Sequence, residues 1–127
     1  MNRLNRPSQV LVVDDDIHIR YALVDALEDE GYGAMSAANG LEALEVLRVL
    51  PKPPSVILLD LMMPVMDGWQ FRAEQERDPL FSKIPVVVVS AIGREEASQV
   101  SASAYLKKPF LMEDLVSAVS KFCSNEA

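Results

Sequence analysis

Five short apolar runs mark the chain, and between them apolar residues recur at helical spacing. The runs are Val10–Val13, the weaker segment from Tyr32 to Ala37, Val56–Leu59, Pro85–Val89 and Ala104–Leu106. An unbroken apolar run this short predicts a strand covered on both faces, because an exposed face would demand alternation. After the first run, Ile19, Ala22, Leu23, Ala26 and Leu27 fall on one helical face, and Gly31 supplies the stop. After the second, Asn39 predicts an N-cap with Glu42 as its partner three residues on. Ala43, Leu44, Leu47 and Leu50 form the buried stripe of that helix, and Pro51 ends it. A third helix is predicted from Asp67-Gly68 to just before Pro79. The fourth, Arg94 to Ala102, is short and weakly apolar. The fifth packs Leu115, Val119 and Phe122, with Glu113 and Asp114 near its start.

Regular alternation of doubly buried strands with helices predicts an α/β fold: one (βα)5 unit, a doubly wound sheet of parallel strands with helices on both faces. Residues 1–8 read as a short N-terminal tail and 9–124 as the domain. The PKPP stretch at 51–54 is a stiff turn, too short for a linker.

Composition narrows the classes of function. Half of the 127 residues are hydrophobic, enough for one ordinary core. A formal net charge of −7 argues against binding nucleic acid through a broad basic patch, and points to a cationic ligand or partner. No apolar run approaches a membrane span, and MNRLNRPSQ has no apolar core behind its arginines, so it does not read as a signal peptide. Cys123 is the one cysteine and has no internal disulfide partner, so a cytoplasmic location is expected.

In such sheets the ligand site lies beyond the carboxyl ends of the strands, where the strand order reverses. Asp14-Asp15-Asp16 follow the first run, Asp60 the third, Ser90 the fourth and Lys107-Lys108-Pro109 the fifth. Two carboxylates about 4 Å apart repel by roughly 4 kcal/mol at an effective dielectric of 20. A cluster of acids therefore needs compensation, and a hard divalent cation supplies it through oxygen ligands. Mg²⁺ (or Mn²⁺), an ammonium, a hydroxyl and a central carboxylate together are arranged to receive a phosphoryl group. An aspartate at a strand end is ordinarily a cap or turn former; it is the company of the other four residues that favours chemistry for Asp60. Asp16 reads instead as a solvated first-turn residue, Lys107 and His18 as surface residues, and Met62, Met63 and Met66 as packing or loop contacts.

VLVVDDD at 10–16, VILLDLMMPVMDG at 56–68, VVVVSA at 86–91 and YLKKPF at 105–110 resemble the receiver domain of two-component response regulators. The resemblance implies a flavodoxin-like strand order, 2-1-3-4-5, which periodicity alone does not give. It implies that Asp60 accepts a phosphoryl group from a sensor histidine kinase or a histidine phosphotransfer protein. Asp15 then resembles a direct metal ligand and Asp14 one acting through water, with the Met62 carbonyl completing the coordination. Ser90 and Lys108 would bind the phosphoryl oxygens, Lys108–Pro109 would be the family's cis peptide, and Tyr105 would be the aromatic switch residue. The expected role is a switch rather than a turnover enzyme. A phosphatase using an aspartate nucleophile needs a second aspartate two residues on, and Met62 stands there. A phosphorylation-independent interaction module is the alternative.

Departures from the family pattern shape further expectations. Methionine at 62 orients attacking water poorly, and Ile92 adds apolar bulk, so a long-lived acyl phosphate is expected. The stretch between Ser90 and Lys108 is about one helical turn shorter than is usual, a shortage that falls on the fourth helix, which is expected to be mobile. Ala-Ser-Ala precedes Tyr105 where the dimerising, DNA-binding type carries acids, so a monomer is expected. The downstream partner is an unknown protein, reached by this chain alone or as part of a longer regulator.

Overall fold

The computed structural model of the protein describes residues 8–93, 97 and 100–123. Its sheet has five parallel strands: β1 (Gln9–Val13), β2 (Gly33–Ala37), β3 (Val56–Leu59), β4 (Val86–Ser90) and β5 (Ala104–Lys107). Their order is β2-β1-β3-β4-β5, the doubly wound arrangement that the family resemblance implies. Burial follows that order. The central strands β1, β3 and β4 are buried at every position, whereas the edges β2 and β5 carry exposed residues such as Ser36 and Lys107. Strands covered on both faces have no place for a polar residue except at their ends.

Four helices cover the sheet among the described residues: α1 (Ile17–Asp29), α2 (Gly40–Val49), α3 (Gly68–Arg77) and the C-terminal α4 (Met112–Ser120). Because successive side chains on a strand point to opposite faces, the core divides in two. Leu11, Val13, Ile57, Leu59 and Val88 face α2 and α3, where Ala43, Leu44, Leu47 and Phe71 meet them. Val10, Val12, Leu58, Val87 and Val89 face α1 and α4, represented by Leu23, Leu27, Leu115 and Val119. Each fully buried leucine or phenylalanine contributes roughly 1.5–3 kcal/mol.

Capping sets the helix ends. Asp16 is the N-cap of α1, its carboxylate accepting from the His18 and Ile19 amides, so it is more than the solvated residue expected. Asn39 caps α2 through Glu42 N–H, while the Glu42 carboxylate reaches back to Ala38 N–H. Asp67 and Gln70 close a reciprocal box at the start of α3. Gly68 is required there, since a Cβ would lie 2.6 Å from the Asp60 carbonyl oxygen. Buried Gln75 was not singled out in the sequence; its amide donates to the Phe81 and Ile84 carbonyls and fixes the approach to β4.

Some expectations need correction. On α1, Leu23 and Leu27 are buried, but Ala22 is exposed and Ile19 and Ala26 only half-buried. The predicted fourth helix falls largely on residues 94–96 and 98–99, outside the described residues, and so does its expected mobility. Ala97 is helical, but the chain has left the helix by Val100, short of the expected Ala102. There the Val100 and Ser101 carbonyls accept from the Tyr105 hydroxyl and Arg72 Nε, at 2.6 and 3.1 Å.

The connection from β3 to α3 contains one strained residue. Val65 has φ of 71°, and the Met66 amide donates to the Pro64 carbonyl at 2.8 Å, a γ-turn in the left-handed region. A β-branched side chain is poorly suited to that region, and Val65 is 76% exposed, so little packing offsets the strain. Val65→Gly should therefore stabilise the protein by about 1 kcal/mol in urea unfolding, strain relief outweighing the added freedom of the unfolded chain. A loss of stability would show that the turn carries no such strain.

Candidate functional site

The carboxyl ends of β1, β3, β4 and β5 lie side by side, and the backbone ladder continues past them. Val13 pairs with Leu59 in the sheet. One step further, the Asp60 amide donates to the Val13 carbonyl and the Asp14 amide to the Ala37 carbonyl. Asp14 and Asp60 thus leave adjacent strands side by side. The Lys108 amide donates to the Ser90 carbonyl, which carries the same edge across to β5.

Lys108 binds both acids. Its Nζ donates to Asp14 Oδ2 at 2.7 Å and lies 3.5 Å from Asp60 Oδ2. Asp14 is 2% exposed and Asp60 6%, so these charges are held out of water. Burial raises the Asp60 pKa from its ordinary 3.8; the Asp14 carboxylate raises it further, and Lys108 and the Met62 amide offset part of the rise. Burial on its own would lower the Lys108 pKa, but the hydrogen bond to Asp14 and the attraction of Asp60 prevail, and it stands above its ordinary value. Asp14 Oδ1 meanwhile accepts from the Asp16 amide at 2.9 Å.

Asp15 is exposed at the mouth of the site. One carboxylate oxygen from each of Asp14, Asp15 and Asp60 lies within 4.8 Å of the others, a spacing that suits a single cation. These hard oxygen donors, one of them open to solvent, fit Mg²⁺ with several waters retained. The Met62 amide lies 3.4 Å from Asp60 Oδ1, which places that backbone beside the cluster, while Met62 as a whole is 59% exposed. Met63 and Met66 pack against the core.

Ser90 is buried at the end of β4, where its Oγ lies 3.5 Å from the Ile92 amide. A cavity of about 120 Å³ adjoins it, bordered by Ile92, Ala97 and Tyr105. Ser90 and half-buried Tyr105 thus share one void. The Lys108–Pro109 bond is cis. Lys107 and His18 face solvent, as the sequence suggests. Beside Lys108 an open apolar groove of about 550 Å³ runs between Ile19 and Ala22 of α1 and Pro109, Phe110 and Met112. This groove is why the upper face of α1 is not buried.

The sequence reading missed Arg20, whose Nη1 donates to the Asp14 main-chain carbonyl at 2.8 Å. Its spacing, six residues after Asp14, is the one signal that could have drawn attention to it.

Comparison with known proteins identifies the family. The model of the response regulator receiver domain matches residues 10–120. The chain is 32% identical over 118 residues to sporulation initiation phosphotransferase F of Bacillus subtilis, covering 90% of this chain and 92% of that protein. It is 36% identical over 115 residues to the probable transcriptional regulator ycf27 of Pyropia yezoensis, covering 87% of this chain but 45% of the relative. The chain thus spans under half the length of that relative. Among solved structures, chemotaxis response regulator CheY4 of Vibrio cholerae superposes with a TM-score of 0.81 at 31% identity, over 91% of this chain and 98% of that one. The chain belongs to the response regulator receiver domain family of two-component signalling. Among the described residues no helix is long and apolar enough to cross a membrane.

The raised pKa of Asp60 has a consequence for stability. The folded protein keeps that proton to a higher pH than the unfolded chain does. Ionisation therefore lowers stability as pH rises from the unfolded value through the folded one, and the cost is complete above it. Without divalent cations, Asp60→Asn should raise the melting temperature by a few degrees at pH 7. The gain should fade below about pH 3.8, the ordinary value of the carboxyl. A variant melting at or below wild type at pH 7 contradicts this.

Proposed function

We propose that this domain accepts a phosphoryl group on Asp60 from a histidine kinase or histidine phosphotransfer protein, with Mg²⁺, in a phosphorelay. The observation that carries this reading is the convergence of Asp14, Asp15 and Asp60 within 4.8 Å, with Lys108 against two of them. Mg²⁺, held by Asp15, Asp60 and the Met62 carbonyl and through water by Asp14, would neutralise negative charge on the phosphoryl oxygens.

Asp60 attacks phosphorus through a carboxylate oxygen. The new O–P bond forms as the P–N bond to the donor imidazole breaks, and that nitrogen takes a proton from solvent. Lys108 then exchanges its bond to Asp14 for one to the incoming oxygens, and the Ser90 hydroxyl donates to another. The apolar groove beside Lys108 offers a surface on which the donor can dock with its imidazole above Asp60. Movement of Ser90 toward the phosphoryl group enlarges the cavity it shares with Tyr105, and the ring turns inward. That rearrangement is the output.

The domain acts in the cytoplasm as a monomeric switch, without turnover of free substrate and without binding nucleic acid itself. Exposed Met62 offers no polar atom to orient water, so the acyl phosphate persists. The alternative, a module indifferent to phosphate, leaves the buried Asp14–Lys108–Asp60 arrangement without a purpose.

Acetyl phosphate or phosphoramidate with Mg²⁺ should add one phosphoryl group, seen by intact-protein mass. Asp60→Asn should abolish the adduct, and Asp15→Asn should demand far more Mg²⁺ for the same labelling. Undiminished labelling of Asp60→Asn would overturn the assignment.

A further inference from the structure

The geometry points to Arg20 as a positioning residue for the cation site: it holds the Asp14–Asp15 peptide so that the Asp15 carboxylate faces Asp14 and Asp60. The inference rests on the proposed Mg²⁺ site and adds a residue to it. In the β1–α1 turn, two of the three consecutive acids are held by their side chains. Asp14 engages Lys108 and the Asp16 amide, and Asp16 engages the amides of His18 and Ile19. No hydrogen bond holds the Asp15 carboxylate among the described residues. Its direction therefore depends on the backbone, and above all on the peptide plane that it shares with the Asp14 carbonyl.

That carbonyl is what Arg20 grips, at 2.8 Å. The Arg20 amide donates to the Asp16 carbonyl at 3.0 Å, so the first rung of α1 fixes where the arginine stands. The turn is thereby closed from both sides, through the Asp16 cap and through the guanidinium. Among the described residues the Arg20 guanidinium makes no ion pair, and it bonds the Asp14 main chain rather than a carboxylate of the cluster. A guanidinium bonded to a carboxylate would compete with the metal, whereas one bonded to a main-chain oxygen leaves every ligand oxygen free.

Position and charge predict opposite signs, which makes the test decisive. Loss of a nearby positive charge alone would tighten Mg²⁺ binding, and loss of the positioning bond weakens it. Mg²⁺ titration calorimetry of Arg20→Met should show Kd raised about tenfold, the scale expected for an outer-shell partner. Arg20→Lys, which keeps the charge but offers a single ammonium, should fall between wild type and Arg20→Met. In the metal-free Arg20→Met protein the Asp15 amide resonance should shift while amides of β3 and β4 stay in place. At saturating Mg²⁺ the labelling rate of Asp60 should return to the wild-type value. Unchanged or tighter binding by Arg20→Met overturns the proposal, as does a labelling rate that saturating Mg²⁺ fails to restore. If Arg20→Met does not fold, a Kd for Arg20→Lys equal to wild type overturns it. A wild-type protein that binds no Mg²⁺ overturns the site reading and this proposal with it.

Discussion

The ammonium of Lys108, set between the carboxylates of Asp14 and Asp60, is the interaction on which the rest of the site depends. Two acids leave neighbouring strands at the same level, both nearly out of contact with water. Without a cation between them the repulsion would reach several kcal/mol at the dielectric of a partly screened site. Lys108 lies closer to Asp14 than to Asp60. It satisfies Asp14 and leaves Asp60, the proposed phosphoacceptor, under-neutralised, with its pKa raised by burial and by Asp14. In the proposed reading a divalent cation supplies the positive charge that the protein alone leaves short, and an incoming phosphoryl group would be held against that cation and Lys108.

The fold makes this arrangement almost unavoidable. The central strands of this sheet are apolar except at their ends, Gln9 of β1 and Ser90 of β4, so the other polar residues of the site follow them. Register then places those followers side by side: Val13 against Leu59 puts Asp14 beside Asp60, and Ser90 against Lys107 brings Lys108 to the end of β4. The helices begin where the strands end, so their caps belong to the same layer. Asp16 serves α1 while Asp14 and Asp15 serve the site. Gly68 lets α3 start against the Asp60 backbone, which no residue with a Cβ could do without displacement.

Most of the fold and most of the site were legible in the sequence for one reason. Doubly buried strands announce themselves as unbroken apolar runs, and the residue after each run is fixed in space by the sheet. What was not legible depends on contacts that periodicity does not encode. Ile19 and Ala22 share the spacing of Leu23, but they line the groove near Lys108, so Ile19 is only half-buried and Ala22 is exposed. Gln75 looks like any polar helix residue until the Phe81 and Ile84 carbonyls are found beneath it. Arg20 and the left-handed Val65 are likewise set by tertiary geometry. The four motifs gave the residues that converge at the candidate site, but not that Lys108 would favour Asp14 over Asp60.

The central claim is that the acid cluster is left short of positive charge and is completed by one divalent ion. Urea unfolding at a series of Mg²⁺ concentrations, with ionic strength held constant by NaCl, tests it most directly. A single site predicts that unfolding free energy rises by about 1.4 kcal/mol per tenfold increase in Mg²⁺ once the dissociation constant is exceeded. Stability that follows ionic strength alone, with no separate response to Mg²⁺, would contradict the account.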